Sequence, residues 1–266
     1  QQPVRHVQHA QMTPVTHSAS SVSPASVADT EATTATVGIL AGMGPAAGVD
    51  FARLFLQSCD ACLLERGQPI NDQAYPEHWL AQVPIVDRTR ALNDPEAPQP
   101  LEAMRRTLGR LADLGAQAVA ISCNTAHAWH APLQASAPGV QLLHIAQETV
   151  AELARRGTRQ AALLATAGTY RMGLYDPAFE AHGIRCIVPD EQTRRWLMEG
   201  IYDGVKVGRL ALAEERFVQA GMRLREQHGD IALVMACTEI PLALPQAVAA
   251  RDLSLIHISE PTRPLY

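Results

Sequence analysis

The chain has 266 residues, 47% apolar and 18% charged, enough for one or two globular domains around a large buried core. A formal net charge of −5 argues against a nucleic-acid-binding surface, and no apolar run reaches the roughly 18 residues of a helical membrane span. Five cysteines, an odd number, with no apolar leader near the start, make a reducing, cytoplasmic setting the expectation and a disulfide framework unexpected.

Residues 1–35 are rich in Ser, Thr, Ala, Pro, Gln and His without periodicity, and are expected to form a disordered extension. Thr36–Ala41 is a short apolar run closed by Gly42-Met43-Gly44-Pro45, the pattern of a first strand, a tight turn and a helix start. A helix is predicted to about Arg66, a strand over 78–84, a helix over 101–114, a buried strand over 118–122 and a helix start at 126–133. The pattern then restarts with a strand over 142–145 and a helix over 147–156. A strand over 161–165, a helix over 174–182 and a strand over 184–188 follow. Two helices come next, over about 191–203 and 208–227, before a last strand over 231–236. Strands alternating with helices predict an α/β protein of parallel sheets flanked by helices. The boundaries read as a first domain over 36–140, a second over 141–247, and a truncated return to the first over 248–266. Residues 253–263, LSLIHISEPTR, resemble the conceptual translation of a sequencing-library adapter. The expectation is a natural chain cut near Asp252 and a non-native tail over 253–266 that is excluded from the fold.

Two strands end alike. One reads Ala118-Val119-Ala120-Ile121-Ser122-Cys123-Asn124-Thr125, the other Ala232-Leu233-Val234-Met235-Ala236-Cys237-Thr238-Glu239. A lone strand-end cysteine is more often a small buried hydrophobe than a nucleophile, but a matched pair in two pseudo-symmetric halves reverses that reading. Ligands of parallel sheets bind beyond the C-terminal strand ends, where Cys123, Cys237, Met43 and Thr166 all fall. A helix N-terminus after each thiol is expected to favour the thiolate. Two such thiols on opposite faces of one carbon invert it, one taking the Cα proton and the other returning one. Lys206 is the only lysine among 22 basic residues. A bias toward arginine explains this as well as a requirement for an ammonium at that position.

Gly38–Pro45, Asp87-Arg88-Thr89, Cys123-Asn124-Thr125-Ala126-His127, Leu163–Thr169, Gly200–Lys206 and Cys237-Thr238-Glu239-Ile240-Pro241-Leu242 together resemble the aspartate/glutamate racemase family, from about Val37 to Asp252. The resemblance implies two similar α/β domains with the site in the cleft between them, often as a homodimer. The implied activity is cofactor-independent racemisation of an acidic amino acid, with Cys123 and Cys237 catalytic. Arg88 and Lys206 would hold substrate carboxylates and stabilise enolate-like charge. Asn124, Thr125 and Thr238 would donate hydrogen bonds, and Met43, Thr166 and Glu239 would line the substrate pocket. A related cysteine-dependent lyase or isomerase, such as a decarboxylase of substituted malonates or a maleate-type isomerase, or an inactive fragment, are the alternatives.

Other motifs carry less. Gly42-Met43-Gly44-Pro45-Ala46-Ala47 fits a loose dinucleotide pattern but lacks the acidic residue about 20 positions on. Cys59-Asp60-Ala61-Cys62 has no second pair to complete a zinc site. His127-Ala128-Trp129-His130 lacks a carboxylate partner, so His127 is expected to pack or to support its neighbours. No G-x-S-x-G elbow and no phosphate-cradling loop before Lys206 are present.

Overall fold

The computed structural model describes residues 35–251 and 253–257. The disorder expected of the N-terminal extension and the end of the C-terminal tail lie outside the described residues. In chain order the regular elements begin with β1 (Val37–Ala41), α1 (Pro45–Glu65), β2 (His78–Gln82), α2 (Arg88–Asn93), α3 (Leu101–Asp113), β3 (Ala118–Ile121), α4 (His130–Ser136) and β4 (Gln141–Leu142). They continue with α5 (Ile145–Arg155), β5 (Gln160–Ala165), α6 (Ala167–Arg171), α7 (Asp176–Ala181), β6 (Arg185–Ile187), α8 (Glu191–Glu199), α9 (Leu210–His228), β7 (Ala232–Ala236) and β8 (Leu255–His257).

These strands form two four-stranded sheets, ordered β2-β1-β3-β4 and β6-β5-β7-β8, with every pair parallel. The two orders are the same walk through chain order, the repeat visible in the sequence. β1 and β3 are buried along their whole length, and β5 and β7 at all but their first residue, as strands covered by helices on both faces must be. α3 and α4 pack Met104, Leu108, Leu111 and Leu133 on the first sheet. α5 and α7 cover one face of the second with Val150, Leu153 and Phe179. α8 and α9 cover the other with Leu197, Phe217 and Leu224.

Three placements differ from the sequence reading. Gln141–Leu142 pairs with β3 and closes the first sheet, so the crossover falls just after the strand that was expected to open the second half. Such a short run carries no periodicity to reveal its sheet. Helix 126–133 begins instead as a 3-10 turn over Thr125–Trp129. Residues 248–257 lie with the second sheet rather than returning to the first: Ala250 and Leu253 join its core, and β8 pairs with β7. The apolar character of Leu253 and Ile256 is enough to bury them there, whatever their origin.

Gly42 makes the turn that carries Met43. Its φ is +95°, and a Cβ there would sit 2.2 Å from the Val83 carbonyl oxygen, an immovable backbone atom. Gly42→Ala is expected to lower stability by at least ~2 kcal/mol. Gly109, inside α3 with none of the described residues within 4 Å of its would-be Cβ, is the matched control, where alanine is expected to add ~0.5–1 kcal/mol. Urea midpoints of the two variants check both signs.

Candidate functional site

In each sheet the chain leaves the central strand first to one side and later to the other, so crossovers diverge between β1 and β3 and between β5 and β7. Such switch points, at C-terminal strand ends, are where parallel sheets bind ligands. Met43 and Cys123 follow β1 and β3; Thr166 and Cys237 follow β5 and β7. All ten residues singled out in the sequence line one cavity: Met43, Arg88, Cys123, Asn124, Thr125, Thr166, Lys206, Cys237, Thr238 and Glu239. Asp87, Thr89 and Tyr202 complete it. Its free volume is ≈ 20 Å³, space for about one water.

On the first sheet's side, Arg88 opens α2, a helix the sequence did not announce because six residues after Pro84 show no apolar period. Asp87 caps it, Oδ1 accepting from the Arg90 N–H at 2.7 Å. The Arg88 guanidinium is buried, and it donates to the carbonyls of Ile85 (3.1 Å), Val86 (3.0 Å) and Met43. Burial disfavours its charge, but the Cys123 sulfur, Asp87 and Glu239 outweigh that and hold it protonated. The cation therefore stands beside the first thiol. Asn124 is fixed by Tyr175, whose hydroxyl donates to Oδ1 at 2.6 Å, while Nδ2 is buried without a partner among the described residues. His127 ties down the loop: its Nδ1–H donates to the Cys123 carbonyl at 2.9 Å and reaches that of Asn124 at 3.2 Å, and its Nε2 accepts from the Ile145 N–H at 3.2 Å. Those partners require the neutral Nδ1–H tautomer.

On the second sheet's side, the Cys237 Sγ–H donates to Glu239 Oε2 at 3.0 Å. Burial first, and then this carboxylate, push the Cys237 thiol well above its ordinary range. This corrects the expectation of a thiolate-favouring helix N-terminus. Cys237 is followed by the three-residue 3-10 turn Ile240–Leu242, and Cys123 by another 3-10 turn, so no α-helix starts directly behind either sulfur. The other Glu239 oxygen, Oε1, pairs with Lys206 Nζ at 3.0 Å. Burial works against the ammonium, but Glu239 more than restores it and raises the Lys206 pKa.

Lys206 reaches the cavity because the chain after α8 winds through a π turn, Gly200–Gly204, where the sequence predicted continuous helix. A Cβ on Gly200 would lie 2.4 Å from the Phe217 ring, and one on Gly204 2.8 Å from Ala213 Cβ. The two glycines let α9 press against the turn, and the 3-10 turn Val205–Val207 that follows carries Lys206.

The halves are joined by polar contacts. Thr125 Oγ1 lies 2.9 Å from Thr166 Oγ1 and 3.3 Å from Thr169 Oγ1. Thr238 Oγ1 donates to the Ser122 carbonyl at 3.2 Å, and the Tyr202 hydroxyl to Asp87 Oδ2 at 3.1 Å. Asp87, Thr89, Tyr202, Tyr175 and His127 were not chosen as site residues from the sequence. Asp87, Thr89 and Tyr202 lie inside motifs quoted there, so adjacency to Arg88 and Lys206 was the signal available. Cys59 and Cys62 are buried along α1, remote in role from this cavity, and no group of histidine, cysteine or acidic residues suited to a metal occurs among the described residues. No helix among them is long and apolar enough to cross a membrane.

Two parallel sheets presenting switch-point side chains to one shared cavity define an α/β protein with a candidate site between the sheets. Residues 40–259 match the family model described as Asp/Glu/Hydantoin racemase, and the chain belongs to that family. The broad specificity amino-acid racemase RacX of Bacillus subtilis (strain 168) is 25% identical over 215 residues, covering 78% of this chain and 87% of that one. The aspartate racemase of Picrophilus torridus superposes with a TM-score of 0.69 at 25% identity, covering 85% of this chain and 89% of the other. A glutamate racemase from Francisella tularensis subsp. tularensis SCHU S4, solved with D-glutamate, shares the fold at a TM-score of 0.54 and 16% identity, covering 85% and 77%.

Proposed function

We propose that this protein racemises an acidic amino acid, aspartate or glutamate, by a cofactor-independent two-base mechanism. The observation that carries the reading is one cavity with a thiol from each sheet, Cys123 and Cys237, and two cations, Arg88 and Lys206. One sulfur, as thiolate, takes the Cα proton and becomes a thiol. The Cα electron pair delocalises into the α-carboxylate. The second sulfur then delivers its proton to the opposite face and is left as the thiolate. Arg88 and Lys206 bind carboxylates and stabilise the enolate-like charge, and the Asn124 Nδ2–H, without a partner among the described residues, is available as a further donor. The tie from Arg88 to three main-chain carbonyls fixes its position before substrate arrives, which supports preorganisation of that cation.

The free thiols of Cys123 and Cys237 are consistent with a reducing, cytoplasmic setting, and we include a homodimer in the reading, to be checked by light scattering. The decisive assay incubates single enantiomers of aspartate, glutamate and neutral amino acids in deuterated water. Inversion with deuterium at Cα is expected. Turnover without inversion or exchange would favour the decarboxylase or isomerase alternative instead.

A further inference from the structure

Lys206 is not idle in the cavity. Its ammonium already has a carboxylate, that of Glu239, and the same carboxylate holds the proton of Cys237. The three groups form a chain, Lys206 Nζ to Glu239 Oε1 at 3.0 Å and Glu239 Oε2 to Cys237 Sγ at 3.0 Å. The Glu239 side chain is 6% exposed and that of Lys206 24%, so the link is sheltered from solvent. Little free volume surrounds it. A dicarboxylate does not fit inside a cavity with room for about one water unless a side chain moves, and Glu239 is the side chain whose chemistry a ligand carboxylate reproduces.

We propose that Glu239 is an internal surrogate carboxylate: it occupies Lys206 and restrains the Cys237 thiol until a ligand carboxylate replaces it. The proposal rests on the reading of Lys206 as a carboxylate-binding residue. No covalent bond changes in the switch. The ligand oxygen takes over the ammonium, Glu239 turns away, and the Sγ–H loses its acceptor. A thiol no longer facing a carboxylate is a stronger acid, so Cys237 becomes able to give up its proton at the moment substrate is held. The titratable and charged groups that share the cavity with this thiol are Glu239, Lys206, Arg88, Asp87, Cys123 and Tyr202, and the buried hydroxyls of Tyr170 and Tyr175, both pushed up by burial and so neutral, stand close to it from behind. Burial, above all, pushes the Tyr202 hydroxyl up to about 12, so it stays neutral throughout the relevant range.

The test uses the full chain with Glu239→Gln, nearly the same shape without the charge, and Glu239→Asp, which keeps the charge but cannot span both partners. The probe is succinate, a dicarboxylate with no amino group to react. Calorimetry is expected to show succinate binding about 10-fold tighter to Glu239→Gln than to the unaltered protein, a gain of about 1.4 kcal/mol, and lost when Lys206→Met is added. Separately, iodoacetamide labelling of Cys237, followed by peptide mass spectrometry from pH 6 to 10, is expected to shift to lower pH in Glu239→Gln. Cys186, partly buried and outside the cavity, is expected not to shift and serves as the internal control. Glu239→Asp is expected to fall between the two on both measures and replaces Glu239→Gln if that variant does not fold. Unchanged or weaker succinate binding, or an unmoved Cys237 profile, overturns the proposal. Neither readout uses turnover, so absent racemisation in the unaltered protein would sink the racemase reading while leaving these two results to judge Glu239.

Discussion

Alanine at either Cys123 or Cys237 is expected to cut racemisation by at least ~10³-fold, the scale of losing a positioned general acid or base, while the fold persists. Each sulfur is buried, but each is small and lies just past the end of a strand rather than at its middle. The two variants should then fail differently. With Cys237 replaced, Cys123 still faces the cavity beside Arg88, so one enantiomer is expected to exchange its Cα proton for deuterium without inverting. With Cys123 replaced, the other enantiomer should be the one to exchange. Proton NMR for loss of the Cα signal, paired with chiral chromatography, separates exchange from inversion. Retention of full racemisation in either variant, or exchange of the same enantiomer in both, contradicts the two-base arrangement.

The second large effect concerns acid stability. His127 is 4% exposed, and burial, followed by neighbouring His144, lowers its pKa to about 3. The ring centroid of His144 is 5.3 Å away and that of His130 5.9 Å. A proton on Nε2 would face the Ile145 N–H that now donates to it. The unfolded chain titrates near 6.5, above the folded value, so acid favours unfolding. The neutral ring's contribution is complete above pH ~6.5 and is lost as pH falls from there toward 3, by about 1.4 kcal/mol per pH unit. His144, whose pKa is also lowered, mainly by burial and then by His130, adds a dependence of the same sign. His127→Asn is expected to cost ~1–3 kcal/mol at pH 7.5 through lost buried hydrogen bonds. It should also flatten the decline between pH 6 and 4 by up to one proton's worth. Denaturant titrations at four pH values read this directly. An unchanged slope would mean that His127 is not the titrating group.

Much of this architecture was legible from residue order. Apolar runs of five or six residues between amphipathic segments revealed β1, β3, β5 and β7, because a strand covered on both faces needs nothing but apolar side chains. The twin endings at Cys123 and Cys237 mark the cavity in residue order alone, since parallel strands send their C-terminal ends to one rim. α2 and α6 escaped notice, as short helices held by the side chains of Asp87 and Thr166 rather than by an apolar stripe. The switch from α8 to a π turn at Gly200 was equally hidden, because the close neighbour that requires a glycine there, the Phe217 ring, comes from another helix.

By itself, then, the sequence determined the α/β alternation, the duplicated half, and which residue types arrive at the cavity. Those are properties of short stretches, written in local periodicity and composition. Only the tertiary structure decided who bonds to whom. It joined Lys206 to Glu239, turned the environment of Cys237 from thiolate-favouring to thiol-favouring, set Tyr175 on Asn124, and gave β4 to the first sheet. Each of those outcomes depends on the close approach of side chains or strands brought together by how helices and sheets pack, which no local pattern encodes.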